Sequence, residues 1–186
     1  PLSDEMEIVK HYLEIEKYRF TDRLEVIYDI EPDTMDALVP ALLLQPLVEN
    51  AVRHGISHNI DKGTITITAA RKKNTLVLSV QDDGPGLKEP GEINLTDINT
   101  IGDNLNKKSG GIGLANLDER LKKLYGCDAC FTIDSPKGNG FKITITLPLR
   151  FEKKPGPGSK QEPIQQNPKP GTPKPYLMYY SLQMYF

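Results

Sequence analysis

Three short polar runs carry residue types whose spacing could do chemistry. The first is LLLQPLVENAVRHG, in which Gln45, Glu49, Asn50, Arg53 and His54 fall opposite an apolar stripe of Leu43, Leu44, Leu47, Val48, Ala51 and Val52. Asn50 and His54 are four residues apart and stack on adjacent helical turns. An amide oxygen beside a carboxylate suits hydrated Mg²⁺, which takes oxygen ligands in an octahedron and shares them with phosphates. An ordinary solvated helix face fits the same residues. The second run is Asp82-Asp83-Gly84-Pro85-Gly86, directly after an expected strand. A carboxylate there can accept a hydrogen bond from a ligand while Gly-x-Gly lets the chain turn sharply around it, although a plain Asp-Gly turn reads the same way. The third run is Ser109-Gly110-Gly111-Ile112-Gly113-Leu114, opening a helix. Its free N–H groups and positive dipole end suit a phosphate; the alternative is a hinge of the preceding loop. Each run alone is modest, but together they supply a metal-holding amide, an acid for a base edge and glycine cradles for phosphates. That set describes a nucleotide site.

Other constellations are weaker. Cys127-Asp128-Ala129-Cys130 has the spacing of a redox pair or half a zinc site, but no second cysteine pair exists and the motif sits at a turn into a strand. His54 and His58 are separated by the helix-breaking Gly55 and lack the glutamate of a metalloprotease motif. The glycines at 110–113 form neither a Walker loop, since no Gly-Lys-Ser/Thr follows, nor a full Rossmann fingerprint. No serine-centred nucleophile elbow appears, and Arg71-Lys72-Lys73 is too short to form a nucleic-acid patch.

The elements that must position these groups can be read from periodicity. Ser3 is a candidate cap for a helix in which Met6, Val9, Leu13 and Phe20 keep helical spacing. Leu24 to Ile30 alternates as a strand, with Leu24, Val26, Tyr28 and Ile30 on one side. A second helix is expected from about Pro40 to His54, with Pro46 either kinking it or marking a late first turn. Strands are expected at 64–69 and 75–81, joined by the turn Arg71-Lys72-Lys73-Asn74. A polar, glycine-punctuated stretch runs from Gly84 to Gly111, then a helix at about 114–125 that buries Leu114, Leu117, Leu121 and Leu124. Two further strands, about 129–134 and 141–147, close the pattern. Helices beside a largely antiparallel sheet indicate an α/β (α+β) two-layer sandwich.

Composition bounds the function. The chain has 186 residues with a formal net charge of −2, so no overall field recruits nucleic acid or anionic lipid. No apolar run approaches the roughly 20 residues of a membrane span. Two cysteines make no disulfide scaffold and point to a reducing compartment. A chain that starts at Pro1 with no signal peptide reads as an excised piece of something longer. From Pro155 onward the style changes: seven of the 15 prolines lie there, few charges remain, and the chain ends in the apolar, aromatic YLMYYSLQMYF. Such a segment is expected to be an extended linker, its end either a cloning scar or a sticky strand that adds to a sheet edge.

Residues from about 35 to 150 resemble the ATP-binding domain shared by sensor histidine kinases, gyrase, the large heat-shock chaperone and mismatch-repair ATPases. Within that superfamily, LLLQPLVENAVRHGI (42–56), the DDGPG loop and GGIGLANLDERL resemble the LytS-like histidine kinases of two-component systems. Tyr12-Leu13-Glu14-Ile15-Glu16 and Arg19-Phe20 resemble the end of that family's dimerisation and phosphoacceptor region. The resemblance implies a Bergerat-type ATP-binding fold, a mixed and mostly antiparallel sheet packed on helices. It implies three regions: 1–33 as the end of the dimerisation region and a lead-in strand, 34–152 as the catalytic domain, and 153–186 as linker and tail. It assigns Mg²⁺ to Asn50, the phosphates and sugar to Arg53 and His54, and the adenine amino group to Asp82. It places Gly84 and Gly86 against the base, Gly111, Ile112, Gly113 and Leu114 at the phosphate side, and makes Leu87–Gly110 a lid closing over ATP.

Two departures accompany the resemblance. Superfamily members that hydrolyse ATP with water place a glutamate four residues before the asparagine, where this chain has Pro46. Glu49 is the nearest substitute, a candidate for polarising an incoming histidine. The family's Pro-His-Phe phosphoacceptor motif is absent, and His11 is followed by Tyr-Leu. The expected activity is therefore transfer of the γ-phosphoryl group of ATP to a histidine outside this chain. Expected partners are the chain's own dimerisation helices and a response regulator, within a membrane-bound homodimer whose catalytic domain faces the cytoplasm. The competing expectations are a non-catalytic nucleotide-binding or interaction module and, less compatible with Pro46, an ATP-driven clamp.

Overall fold

Alternation of apolar and hydroxyl residues builds the central strands. In Gly63–Lys72 the side chains of Ile65, Ile67 and Ala69 are buried while Thr64, Thr66 and Thr68 lie half-buried on the other face, the period-2 pattern of a sheet covered on one side. The computed structural model describes residues 1–21, 23–57, 62–86, 91–93, 111–135 and 140–152. Within them the strands are β1 (Leu24–Ile30), β2 (Gly63–Lys72), β3 (Thr75–Asp82), β4 (Gly91–Ile93), β5 (Cys130–Ser135) and β6 (Phe141–Pro148). They form one six-stranded sheet in the order β1-β2-β3-β6-β5-β4. Only β1 and β2 run parallel, with Leu24 opposite Gly63; the other pairs are antiparallel, with Asp82 opposite Ile65 on one side and Phe141 on the other. The expected mixed, mostly antiparallel sheet is present.

The helices are α1 (Leu2–Phe20), α2 (Gln45–Asn50), which continues as a π-helical stretch Ala51–Ile56, and α3 (Gly111–Tyr125). Leu2, Met6, Val9 and Leu13 of α1, Leu43, Leu44, Leu47 and Val48 at α2, and Leu114, Leu117 and Leu121 of α3 join Ile65, Ile67, Leu78, Ile143 and Ile145 in a single buried cluster. Sheet and helices thus make two layers within one unit, Pro1–Glu152. The 153–186 tail lies outside the described residues.

Several local expectations are corrected. Ser3 does not cap α1; the helix starts at Leu2, and the first N–H groups of Leu2 and Ser3 donate to the carbonyls of Ala37 and Met35 at 2.8 and 2.9 Å. Helix α2 begins at Gln45, not Pro40, because Pro46 occupies its first turn, where a missing N–H costs nothing. The β2–β3 turn is tighter than expected: Arg71 and Lys72 belong to the strand, and only Lys73 (φ 58°) and Asn74 turn. Leu124 is 56% exposed, and Tyr125, four residues after Leu121, takes the inward place against the core. Part of the expected lid is strand β4, paired with Ile133–Ser135 of β5; residues 87–90 and 94–110 lie outside the described residues.

Candidate functional site

Asp82 ends β3 at the centre of the sheet, and its side chain is only 2% exposed. Its Oδ1 accepts a hydrogen bond of 3.0 Å from the Gly84 N–H. Burial pushes the carboxyl up to about 6, because desolvation penalises the charged form more than the backbone donors of Gly84 and Phe141 favour it. Next to it, Asp83 does a different job: its exposed carboxylate accepts the Thr64 N–H at 2.8 Å and extends the β2–β3 ladder. Of the two acids in the Asp-Asp-Gly run, the first is enclosed and the second is structural.

The enclosure is made of glycines. A Cβ at Gly55 would lie 2.5 Å from Asp82 Cγ, and one at Gly84 would lie 2.5 Å from the Gly55 Cα. The π-helical stretch and the loop after β3 therefore touch backbone to backbone over the carboxylate, an approach open to no residue with a side chain. Gly140 (φ +83°) packs against the backbone beneath, its missing Cβ facing the Asp82 carbonyl and the Asp83 Cα. Gly55 and Gly140 were not singled out as site residues from sequence. Gly55 registered only as a helix breaker, although its place one turn after Asn50 was a signal; Gly140 carried no signal beyond belonging to a turn.

The π-helical geometry is what brings Gly55 there. Ser57 N–H donates to Val52 O at 3.0 Å, an i→i+5 bond in place of the α-helical one, and such stretches recur at functional sites. Ahead of it, on α2, Asn50 and Glu49 are half-buried on the face opposite Leu47 and Val48. Glu49 accepts a 2.7 Å hydrogen bond from Gln45 Nε2, one helical turn earlier, which holds its carboxylate along the helix. Arg53 is exposed and His54 half-buried on the following turn. Burial, and then the negative charges of Glu16 and Glu49, push the Tyr12 hydroxyl of α1 up to about 12 against the opposing pull of Arg19 and Arg53. The face of α2 is thus a mixed-charge surface bordered by α1.

Gly111, Ile112, Gly113 and Leu114 form the first turn of α3. Leu114 is buried and Gly113 exposed, with open space where its Cβ would be. Helices α2 and α3 are in contact. Gly86 takes φ 67° two residues after Gly84. The structure therefore brings Asp82, Gly84 and the end of the Asn50 helix into direct contact, and places the Gly113 turn on a helix packed against α2. Cys127 and Cys130 are both exposed free thiols, and among the described residues no group of three His, Cys, Asp or Glu side chains could hold a metal ion.

Comparison with known proteins bears on the family and the fold. Residues 35–151 match the family described as histidine kinase-, DNA gyrase B-, and HSP90-like ATPase. The chain is 38% identical over 144 residues to YwpD of Bacillus subtilis, covering 77% of this chain and 49% of that protein. It is 30% identical over 152 residues to the sensor protein LytS of Enterococcus faecalis, covering 82% of this chain and 25% of LytS. The chain thus spans between a quarter and a half of the length of these relatives. Among solved structures, the catalytic domain of the histidine kinase ThkA shares the fold, with a TM-score of 0.58 at 15% identity over 81% of this chain and 95% of that one. The enclosed acid, the helix that closes on it and the glycine turn of α3 sit within the matched residues, and the chain belongs to the histidine kinase-, DNA gyrase B- and HSP90-like ATPase family.

Proposed function

We propose that this chain is the ATP-binding catalytic domain of a two-component sensor histidine kinase, and that it transfers the γ-phosphoryl group of ATP to a histidine on another segment. The observation that carries this reading is the buried Asp82 carboxylate, enclosed by Gly55 and Gly84 at the end of the helix bearing Asn50. An acceptor in such a recess suits the exocyclic amino group of adenine and rejects guanine, whose carbonyl at that position would face a carboxylate with no proton to share.

The donor set fits the rest of the nucleotide. Asn50, whose side chain makes no hydrogen bond to the described residues, would hold Mg²⁺; when bound, the ion neutralises phosphate charge. Gly111, Ile112, Gly113 and Leu114 would offer first-turn N–H groups to the phosphates, with Arg53 and His54 toward the phosphates and sugar. Gly84 and Gly86 would let the chain pass close to the base. Glu49, fixed by Gln45, would orient the incoming imidazole. At position 46, where water-using members carry a glutamate, Pro46 offers no base, so the domain's own ATP hydrolysis is slow.

In the longer protein, residues 1–33 would end the dimerisation region, 34–152 form the catalytic domain and 153–186 a linker. The acceptor histidine would lie upstream, in a membrane-attached homodimer with this domain on the cytoplasmic side where ATP is found. An aspartate of a response regulator would then receive the phosphoryl group. The match covers only 25% of the sensor relative LytS, which supports a longer parent protein.

A thermal-shift titration tests the reading. Mg-ATP raises the melting temperature, Mg-GTP does not, and Asp82→Asn removes the ATP response. A chain unmoved by millimolar Mg-ATP is instead a non-catalytic interaction module, and the proposal is wrong.

A further inference from the structure

Glu5 is a charged residue in the first turn of α1, yet it is only 5% exposed. Its carboxylate reaches across to the segment before α2. Oε1 accepts the Leu42 N–H at 2.6 Å, and Oε2 accepts those of Leu43 and Leu44 at 2.7 and 3.1 Å. Leu44 is the residue that precedes α2, so one side chain from a different helix fixes the three backbone N–H groups that lead into it. The same turn of α1 is laced to the same segment by backbone bonds, Leu2 N–H to Ala37 O and Ser3 N–H to Met35 O. From the other side, Arg120 Nη2 of α3 donates to the Leu42 carbonyl at 3.1 Å. Leu42 itself takes φ 55°, a conformation a leucine adopts only when its surroundings impose it.

We propose that Glu5 is a positioning residue for the nucleotide site. Its carboxylate and the Arg120 guanidinium clamp the Leu42 peptide, and the clamp sets where the helix carrying Glu49 and Asn50 begins relative to the helix opened by Gly111–Leu114. Three helices meet at one peptide, so a shift of the first turn of α1 moves the start of α2. Glu5 does not touch the nucleotide; it acts through the backbone of residues 42–44. The adenine side is held elsewhere: Asp82 by strand pairing, and Gly55, at the far end of the helical stretch from residues 42–44, by its close approach to Asp82 and Gly84 and by packing on β2 and β3. The inference rests on reading the Asn50–Asp82 region as the nucleotide site.

That division of labour makes the idea testable by calorimetry with two ligands, Mg-ATP and ADP in excess EDTA. Glu5→Gln keeps the shape but places an amide NH₂ against backbone donors. It should weaken Mg-ATP by about tenfold and ADP without metal by less than about twofold, while amides 42–44 exchange faster with deuterium. Equal weakening of both ligands would make Glu5 merely structural and overturn the proposal, as would wild-type affinity for both despite faster exchange. Arg120→Met, which keeps the chain length and removes the donor to Leu42, should show the same selective loss and decides the matter should Glu5→Gln not fold. Asp82→Asn in parallel separates the two levels. If it still binds ADP normally, the site assignment fails; if it abolishes binding while Glu5→Gln changes nothing, only the clamp fails.

Discussion

The enclosure of Asp82 makes the free protein less stable than it could be, and this can be measured. Its carboxyl is raised from an ordinary 3.8 to about 6 by burial. The native state therefore holds this proton to higher pH than the unfolded chain does. Stability from this group is fully present below the unfolded value, is lost as pH rises through the window from 3.8 to about 6, and stays lost above it. At about 1.4 kcal/mol per pH unit, the ionised group costs about 3 kcal/mol at neutral pH. Asp82→Asn removes the charge and keeps an oxygen for the Gly84 N–H. Its NH₂ meets the Phe141 N–H that the carboxylate accepts, returning about 1 kcal/mol of the gain. The expected result is a nucleotide-free variant more stable than the parent by about 1–2 kcal/mol at pH 7.5, or a melting temperature higher by about 3–8 °C. The advantage should shrink by about 2 kcal/mol when both proteins are measured near pH 4.5. Thermal unfolding followed by circular dichroism across that range, without nucleotide, is sufficient. An offset independent of pH, or a variant less stable at pH 7.5, would show that desolvation of this carboxylate is not what the fold tolerates for function.

Further expectations concern the same surroundings. Nucleotide affinity should fall about tenfold per pH unit below about 6, since adenine requires the ionised acceptor and binding must displace the proton; calorimetry at pH 5 and 7.5 checks this. Asn50→Ala should lose about 10-fold or more in Mg-ATP affinity yet leave ADP in EDTA nearly unchanged, because only the metal-held part of the ligand is affected. Gly55→Ala forces a methyl onto a carboxylate 2.5 Å away, and urea unfolding should show a loss of about 1–3 kcal/mol together with loss of nucleotide response. Leu121→Ala, at a fully buried position, should cost about 2–5 kcal/mol, whereas Leu124→Ala on the exposed last turn should stay within about 0.5 kcal/mol.

What the sequence alone determined is what local chemistry dictates. Alternation in Thr64–Ala69 and helical spacing in Met6–Leu13 and Leu114–Leu121 depend on the period of one element, and each proved to be an element with the expected face buried. The three polar runs were legible for the same reason: a carboxylate at a strand end and glycines at a helix start are readable within five or six residues. What only the tertiary structure decided are encounters between distant segments. That Gly55 and Gly140 close on Asp82, that Glu5 anchors a turn 37 to 39 residues away, and that Tyr125 rather than Leu124 turns inward all depend on strand register and helix packing. No periodicity encodes these, because a side chain's partner across the fold is set by where the sheet and helices meet, and a carboxylate's charge by how completely that meeting excludes water.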